Sequence, residues 1–76
     1  MTVLQQFEKI IQDYAGDPGI AVTNESVITA EMGLDSYDLA QVLSIIEMHF
    51  NVDIPNRVAM QWQNAGDLIA YIEQNQ

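Results

Sequence analysis

A serine between two aspartates offers the clearest chemistry in this sequence. Ser36 stands in the stretch "GLDSYDLAQV", with Asp35 directly before it and Asp38 two residues after it. A serine nucleophile needs a base within hydrogen-bond reach, and the only histidine of the chain is His49. On one helix the two residues are about 20 Å apart and point in different directions. The sequence therefore predicts no catalytic residues and a protein that is not itself an enzyme.

The sequence also has few residues that could bind a transition metal or provide a thiol. The chain has one histidine and no cysteine, which excludes disulfides, zinc-thiolate sites and a thiol nucleophile. Its acidic residues do not follow the spacing of a calcium-binding loop. We therefore predict no metal site, and any thiol must come from outside the polypeptide.

Ser36 has two interpretations that its position leaves open. It stands where a helix should begin, and both Ser and Asp are favoured as N-caps, so either Ser36 or Asp35 could cap that helix. A helix N-terminus also has unpaired N–H groups and a partial positive charge, which suit a phosphoryl group attached to a hydroxyl. The same position serves a structural and a functional role.

The elements that must position Ser36 are helices. Thr2 and Gln5 have the spacing of a capping box, and the apolar residues that follow recur every three or four positions, which predicts a first helix over about 3–15. The "GDPG" stretch at 16–19 ends it. The long connection to about residue 35 contains six apolar residues and is expected to pack onto the helices: Ile20, Val22, Val27, Ile28, Met32 and Leu34.

The second half of the chain has the same pattern. An apolar stripe of Leu39, Val42, Leu43, Ile46 and Phe50 predicts a second helix over 36–50, which stops before "NVDIP". "NRVAMQW" predicts a short third helix, and Asn64 with Asp67 caps a fourth helix that ends near residue 74. The fold class is all-α: one domain over 1–76, a small four-helix bundle with three longer helices, one short helix and a long first loop.

The charge of the chain limits its partners. Eleven acidic residues against Lys9 and Arg57 give a formal net charge of -9. Such a field repels phosphate backbones and anionic lipids, so we expect neither nucleic acid nor membranes as partners. It favours proteins with basic patches.

The N-terminus has no signal-peptide pattern and no apolar run could span a bilayer, so we expect a cytoplasmic protein. We also expect it to be a monomer.

The stretches "EMGLDSYDL" and "FNVDIP" resemble the acyl carrier protein pattern, in which a D-S-L-type motif opens the second helix and an acidic loop ending in Ile-Pro follows it. The resemblance covers essentially the whole chain. It implies a 4′-phosphopantetheine arm on Ser36, moved there from coenzyme A by a phosphopantetheinyl transferase, with Asp35 and Asp38 flanking the attachment point. The arm supplies the missing thiol and carries an acyl group as a thioester to acyl-transferring, ligating or condensing enzymes.

One residue departs from the family pattern. Tyr37 stands where the motif usually has Leu or Met. Successive residues of a helix are about 100° apart, which places a mixed, partly apolar set opposite the core stripe, with Glu47 at its edge. We predict that partners dock on this set: Tyr37, Gln41, Ser44, Ile45, Glu47 and Met48.

Trp62 affects the expected cargo. In carriers of this family the acyl chain can enter the bundle between the second and third helices. The matching wall here is Ile28, Leu43, Ile46, Ile54, Ala59, Trp62, Leu68 and Tyr71. An indole fills more volume than an aliphatic side chain, so the cargo is expected to be short or only partly sheltered, unless Trp62 simply completes the core.

The resemblance leaves the pathway open. It implies a carrier in fatty acid or specialised lipid or secondary-metabolite biosynthesis. A carrier of aminoacyl, peptidyl or polyketide units is the close alternative. An unmodified helical interaction module, in which Ser36 merely begins a helix, is the alternative from another class.

Overall fold

Four helices form the described part of the chain. The computed structural model describes residues 1–27 and 35–76, and at Ser36 it describes the backbone alone. The helices are α1 (Val3–Ala15), α2 (Ser36–Phe50), α3 (Asn56–Ala59) and α4 (Ala65–Asn75), with no strand in these two ranges. The predicted all-α bundle of three longer helices and one short helix is confirmed.

Local capping contacts set the ends of α1. The Thr2 hydroxyl accepts a hydrogen bond from the Gln5 N–H, and the Gln5 side chain accepts one from the Thr2 N–H. This reciprocal pair satisfies two N–H groups at the start of the helix. At the other end, Gly16 adopts φ 68°, a left-handed conformation that glycine tolerates without steric cost. The sequence signals for this helix therefore act locally.

The end of α2 depends on a residue that the sequence did not single out. Asn51 has φ 55° and ψ 48°, and its N–H donates to the Glu47 carbonyl. Asn is one of the few residues other than glycine that enter this left-handed region readily. The helix therefore ends at Phe50 by a C-cap at Asn51, four residues before Pro55.

The core lies between α1, α2 and α4. α1 packs against both α2 and α4, and the centre of the cluster consists of large side chains with no more than trace exposure: Phe7, Ile11, Val42, Ile46, Leu68 and Ile72. Burying each such side chain contributes about 1.5–3 kcal/mol relative to exposing it. A chain of 76 residues has few such residues to spare, so α2 is held in place mainly by this shared cluster.

The described part of the first loop, residues 16–27, is attached to α1 by two side-chain hydrogen bonds. Glu8 Oε2 accepts from the Val22 N–H at 2.8 Å, and Gln12 Nε2 donates to the Ile20 carbonyl at 2.9 Å. Val22 is buried and Ile20 packs against the core, as expected, whereas Val27 is 41% exposed. Ile28, Met32 and Leu34, which share this prediction, lie outside the described residues.

The loop also supports the start of α4. The N–H groups of Ala65 and Gly66 donate to the carbonyls of Ser26 and Asn24, at 2.9 and 2.7 Å. These are helix N-terminal donors that have no acceptor within their own helix. A Cβ atom at Gly66 would lie 3.0 Å from the Asn24 carbonyl oxygen, so a larger residue here would push the loop away from the helix by a few tenths of an ångström.

Candidate functional site

The first turn of α2 is organised by its two aspartates. Asp35 is the N-cap, with extended backbone angles, and its Oδ1 accepts from the Asp38 N–H at 2.8 Å. In return, Asp38 Oδ2 accepts from the Asp35 N–H at 3.3 Å. Of the two candidates for the cap, the structure selects Asp35. Ser36 is the first residue of the helix proper, so the cap does not require its hydroxyl group.

Tyr14 joins this site from α1. Its hydroxyl donates to Asp38 Oδ1 at 2.8 Å, across 24 positions of sequence. The pKa of Tyr14 is raised, first because of this hydrogen bond to Asp38, then by burial and by the negative charge of Asp38 and its neighbours. The sequence placed Tyr14 only in the apolar stripe of α1. No spacing signal marks a contact between residues so far apart, so the sequence did not predict it.

The predicted docking residues of α2 share one outward face, with one exception. Tyr37 and Met48 are 70% and 84% exposed, and Ile45 is 39% exposed. Gln41 and Ser44 are also exposed and lie between them. The face is therefore apolar at both ends and polar in the middle.

Glu47 is the exception. It is half-buried, and its Oε2 accepts from the Ile54 N–H at 2.8 Å. A charge-assisted bond of this kind fixes the loop that follows α2. Glu47 therefore has a structural contact in addition to its predicted place at the edge of the docking face.

An open groove of about 260 Å³ lies between α2 and α3. It is lined by Leu39, Ala40, Leu43, Asn56, Ala59 and Met60. Of the predicted acyl-binding wall, Leu43 and Ala59 line this groove, Ile46, Ile54 and Leu68 are buried in the core, and Ile28 lies outside the described residues.

Trp62 belongs to a different surface. It is half-buried against the core, its ring centroid is 5.8 Å from that of Tyr71, and both residues line a separate groove beside α4. The Tyr71 hydroxyl donates to the Asp53 carbonyl at 2.7 Å. The structure thus does not bring Trp62 into the groove between α2 and α3.

His49 lies at the opposite end of α2 from Ser36. Its Nε2 is 3.0 Å from Gln6 Oε1, and its ring meets the ring of Phe50 edge-on. It stands in the last turn of the helix, thirteen residues from Ser36, and no pairing of the two is possible within a straight helix of this length. In the two described ranges no group of three or more His, Asp or Glu side chains is placed to hold a metal ion.

Comparison with known families identifies the class of protein. The family model described as "Phosphopantetheine attachment site" matches residues 5–72, nearly the whole chain. The chain belongs to this family. The acyl carrier proteins of Helicobacter pylori (strain J99) and Helicobacter acinonychis (strain Sheeba) are 29% and 28% identical to it over 75 residues, which is 99% of this chain and 96% of each relative.

A solved structure shows the same fold. The solution NMR structure of the holo acyl carrier protein from Geobacter metallireducens superposes with a TM-score of 0.87 at 20% identity and covers 99% of this chain and 86% of that one. Identity this low supports the fold alone. The family match and the named relatives make the chain an acyl carrier protein, a carrier and not a catalyst, whose prosthetic group is covalently bound 4′-phosphopantetheine.

The start of α2 fits such a group. A hydroxyl-bearing residue opens a helix of 15 residues, and the N-cap beside it is exposed. The first N–H groups of a helix have no intrahelical acceptor and favour a phosphate nearby.

No helix among the described residues is long and apolar enough to cross a membrane.

Proposed function

We propose that Ser36 is the residue that bears the arm, and that the chain, as one carrier domain over 1–76, holds acyl intermediates as thioesters in fatty acid or specialised lipid or secondary-metabolite biosynthesis. The observation that carries this proposal is the Asp35-Ser36-Tyr37-Asp38 helix start, which stands at the first residue of α2 inside the family match. Because the chain contains no cysteine, the arm supplies the only thiol.

In the loading reaction the chain contributes an oxygen nucleophile and a helix N-terminus whose partial positive charge stabilises a phosphodiester. The Ser36 hydroxyl oxygen attacks the phosphorus of coenzyme A that carries the pantetheine and forms a new O–P bond. The P–O bond of the pyrophosphate linkage breaks, adenosine 3′,5′-bisphosphate leaves with the bridging oxygen, and the hydroxyl proton passes to a base on the transferase. The partial positive charge of the α2 N-terminus favours the negative charge of the product. Asp35 and Asp38 oppose it electrostatically, but both are already engaged in the capping box.

Partners are proposed from the chemistry of the surface. A phosphopantetheinyl transferase loads the arm, and acyl-transferring, ligating or condensing enzymes use it, with the carrier acting as a monomer in the cytoplasm. A net charge of -9 favours basic surfaces on these enzymes and accelerates their encounter. Once docked, tethering raises the effective concentration of the cargo at the active site.

Docking is proposed to use the outward face of α2, defined by Tyr37, Gln41, Ser44, Ile45, Glu47 and Met48. Exposed Tyr and Met side chains give contact area that isolated acidic residues do not. This chain therefore combines long-range attraction by acidic charge with short-range apolar contact. We expect docking to be less sensitive to salt than on a purely acidic surface.

Ser36→Ala tests the attachment site. After incubation with coenzyme A and a broad-specificity transferase, wild-type protein should gain the mass of one phosphopantetheine group and the Ala variant should gain none. The fold should persist because Asp35 supplies the N-cap, which circular dichroism checks. An equal gain of mass on the Ala variant would place the arm elsewhere, and no gain on wild type would leave an unmodified interaction module.

A further inference from the structure

A tyrosine on α1 reaches the start of α2. Tyr14 lies in the last turn of α1 and is half-buried against the core. Its hydroxyl donates to Asp38 Oδ1 at 2.8 Å, within the range of a strong bond to a charged acceptor. The two residues are 24 positions apart, so this bond ties two helices together near the proposed attachment residue.

The bond also orients the second oxygen of Asp38. Oδ2 accepts from the Asp35 N–H at 3.3 Å, which is longer than the usual range for this kind of bond. In the other direction the Asp38 N–H donates to Asp35 Oδ1 at 2.8 Å. A weak bond forms readily only when its acceptor is already oriented. The Tyr14 hydroxyl, bonded to Oδ1, holds the Asp38 carboxylate so that Oδ2 faces the Asp35 N–H.

We propose, on the basis of the function inferred above, that Tyr14 is a positioning residue for modification at Ser36. It holds the Asp38 carboxylate in the capping geometry and thereby presents the first turn of α2 to the transferase in one conformation. A preorganised surface loses less conformational entropy on binding than one that must be ordered. Without the hydroxyl, the Asp38 side chain can turn toward solvent and the capping box opens more often.

The surroundings keep Tyr14 in its donor form. The hydrogen bond to Asp38, partial burial and the charges of Asp38 and Asp35 all raise its pKa. The hydroxyl therefore stays protonated, and able to donate, throughout the physiological pH range. This supports the role, which rests on the geometry of the three side chains.

The chain contains a matched control. Tyr14→Phe and Tyr71→Phe each remove one hydroxyl from a half-buried tyrosine, and each removes one short hydrogen bond, at 2.8 and 2.7 Å. The Tyr71 hydroxyl donates to the Asp53 carbonyl, in the loop after α2. A general loss of stability should follow from both changes, but only Tyr14→Phe affects the Asp35–Asp38 capping box.

The experiment measures kcat/KM of a phosphopantetheinyl transferase for the whole chain, with coenzyme A as the donor. We expect Tyr14→Phe to lower it about fivefold, the factor that one hydrogen bond contributes to a conformational equilibrium. Tyr71→Phe should leave it within about twofold of wild type. Asp38→Ala removes the acceptor instead of the donor and should lower kcat/KM at least as much as Tyr14→Phe does. Adding Tyr14→Phe to Asp38→Ala should have no further effect on kcat/KM.

Amide hydrogen exchange gives a second readout that does not depend on the transferase. The Asp38 N–H should exchange about fivefold faster in Tyr14→Phe, where the capping box opens more often, and at the wild-type rate in Tyr71→Phe. Equal kcat/KM for the two Phe variants, or additive losses in the double variant, would overturn the role of Tyr14 while leaving Ser36 as the attachment residue. Absence of any transfer to wild-type protein would instead overturn the proposed function, and this proposal with it.

Discussion

At the residue scale, the start of α2 divides its tasks among neighbouring side chains. Asp35 caps the helix and Asp38 completes the capping box. Ser36, the first residue of the helix, is the proposed attachment residue. Tyr14 adds a contact from another helix. A carboxylate cap has an advantage here over a serine cap, since esterification to phosphorus makes a serine oxygen a poorer hydrogen-bond acceptor, whereas the Asp35 carboxylate still accepts.

Asp35→Ala should destabilise the protein because it removes the acceptor for the Asp38 N–H. The free energy of unfolding should fall by about 1 kcal/mol, as for other N-caps replaced by alanine. Asp35→Asn should cost much less, since its amide oxygen still accepts. Urea unfolding followed by circular dichroism measures both, and Glu73→Ala controls for the loss of one exposed acidic charge. Equal stability of Asp35→Ala and Glu73→Ala would show that the cap contributes nothing.

At the element scale, α2 has three distinct sides. Val42 and Ile46 are buried in the core. Leu39 and Leu43 line the groove toward α3. The outward face is apolar at its two ends, Tyr37 and Met48. A helix of 15 residues is about 22 Å long. One helix therefore presents the proposed attachment residue, the groove and the proposed docking face within a short distance of one another.

The side chains of the outward face should contribute unequally to docking. Tyr37→Ala and Met48→Ala should each weaken docking of an acyl-transferring partner about tenfold, because a large exposed side chain that becomes buried in an interface contributes most. Gln41→Ala, on the same face, is the matched control and should change the Michaelis constant for the carrier about twofold or less. Steady-state kinetics at two salt concentrations measures this, and uniformly small effects of all three changes would exclude the face as the docking site.

At the scale of the whole molecule, the described residues combine a buried core with open grooves at the surface. Val42, Ile46, Leu68 and Ile72 show no more than trace exposure, and a close-packed interior leaves no volume for a guest without rearrangement. The groove between α2 and α3 is open and adjoins the helix that begins at Ser36. Cargo is therefore expected to lie along this groove, whatever the volume of Trp62.

Loading the arm with acetyl and octanoyl groups tests where cargo lies. The octanoyl form should change the amide chemical shifts of Leu39, Leu43 and Ala59, which line the groove, and the acetyl form should leave them nearly unchanged. Trp62 fluorescence should be the same in both forms, because Trp62 lines a different groove. Large octanoyl-dependent shifts at Ile46 and Leu68, which are buried, would mean that the acyl chain enters the core and not the groove.

Local signals in the sequence determined the helices. Thr2 with Gln5 and Asn64 with Asp67 are contacts over three residues, and the apolar stripe of α2 follows from the helical repeat alone. The stretches "EMGLDSYDL" and "FNVDIP" carried the resemblance to acyl carrier proteins, and that resemblance implied a prosthetic arm. These features are visible in sequence because they depend on residues that are close together in the chain.

Contacts between distant residues were decided only by the tertiary structure. The Tyr14–Asp38 bond, the Glu47–Ile54 bond and the attachment of the first loop to α4 each require particular distances between packed elements. Periodicity gives the face on which a side chain lies, but it does not give the atom that the side chain meets. The place of Trp62 in the groove beside α4 followed from the same packing. The choice of Asp35 over Ser36 as the cap depends on local backbone geometry, which the sequence left open because both residue types are favoured caps.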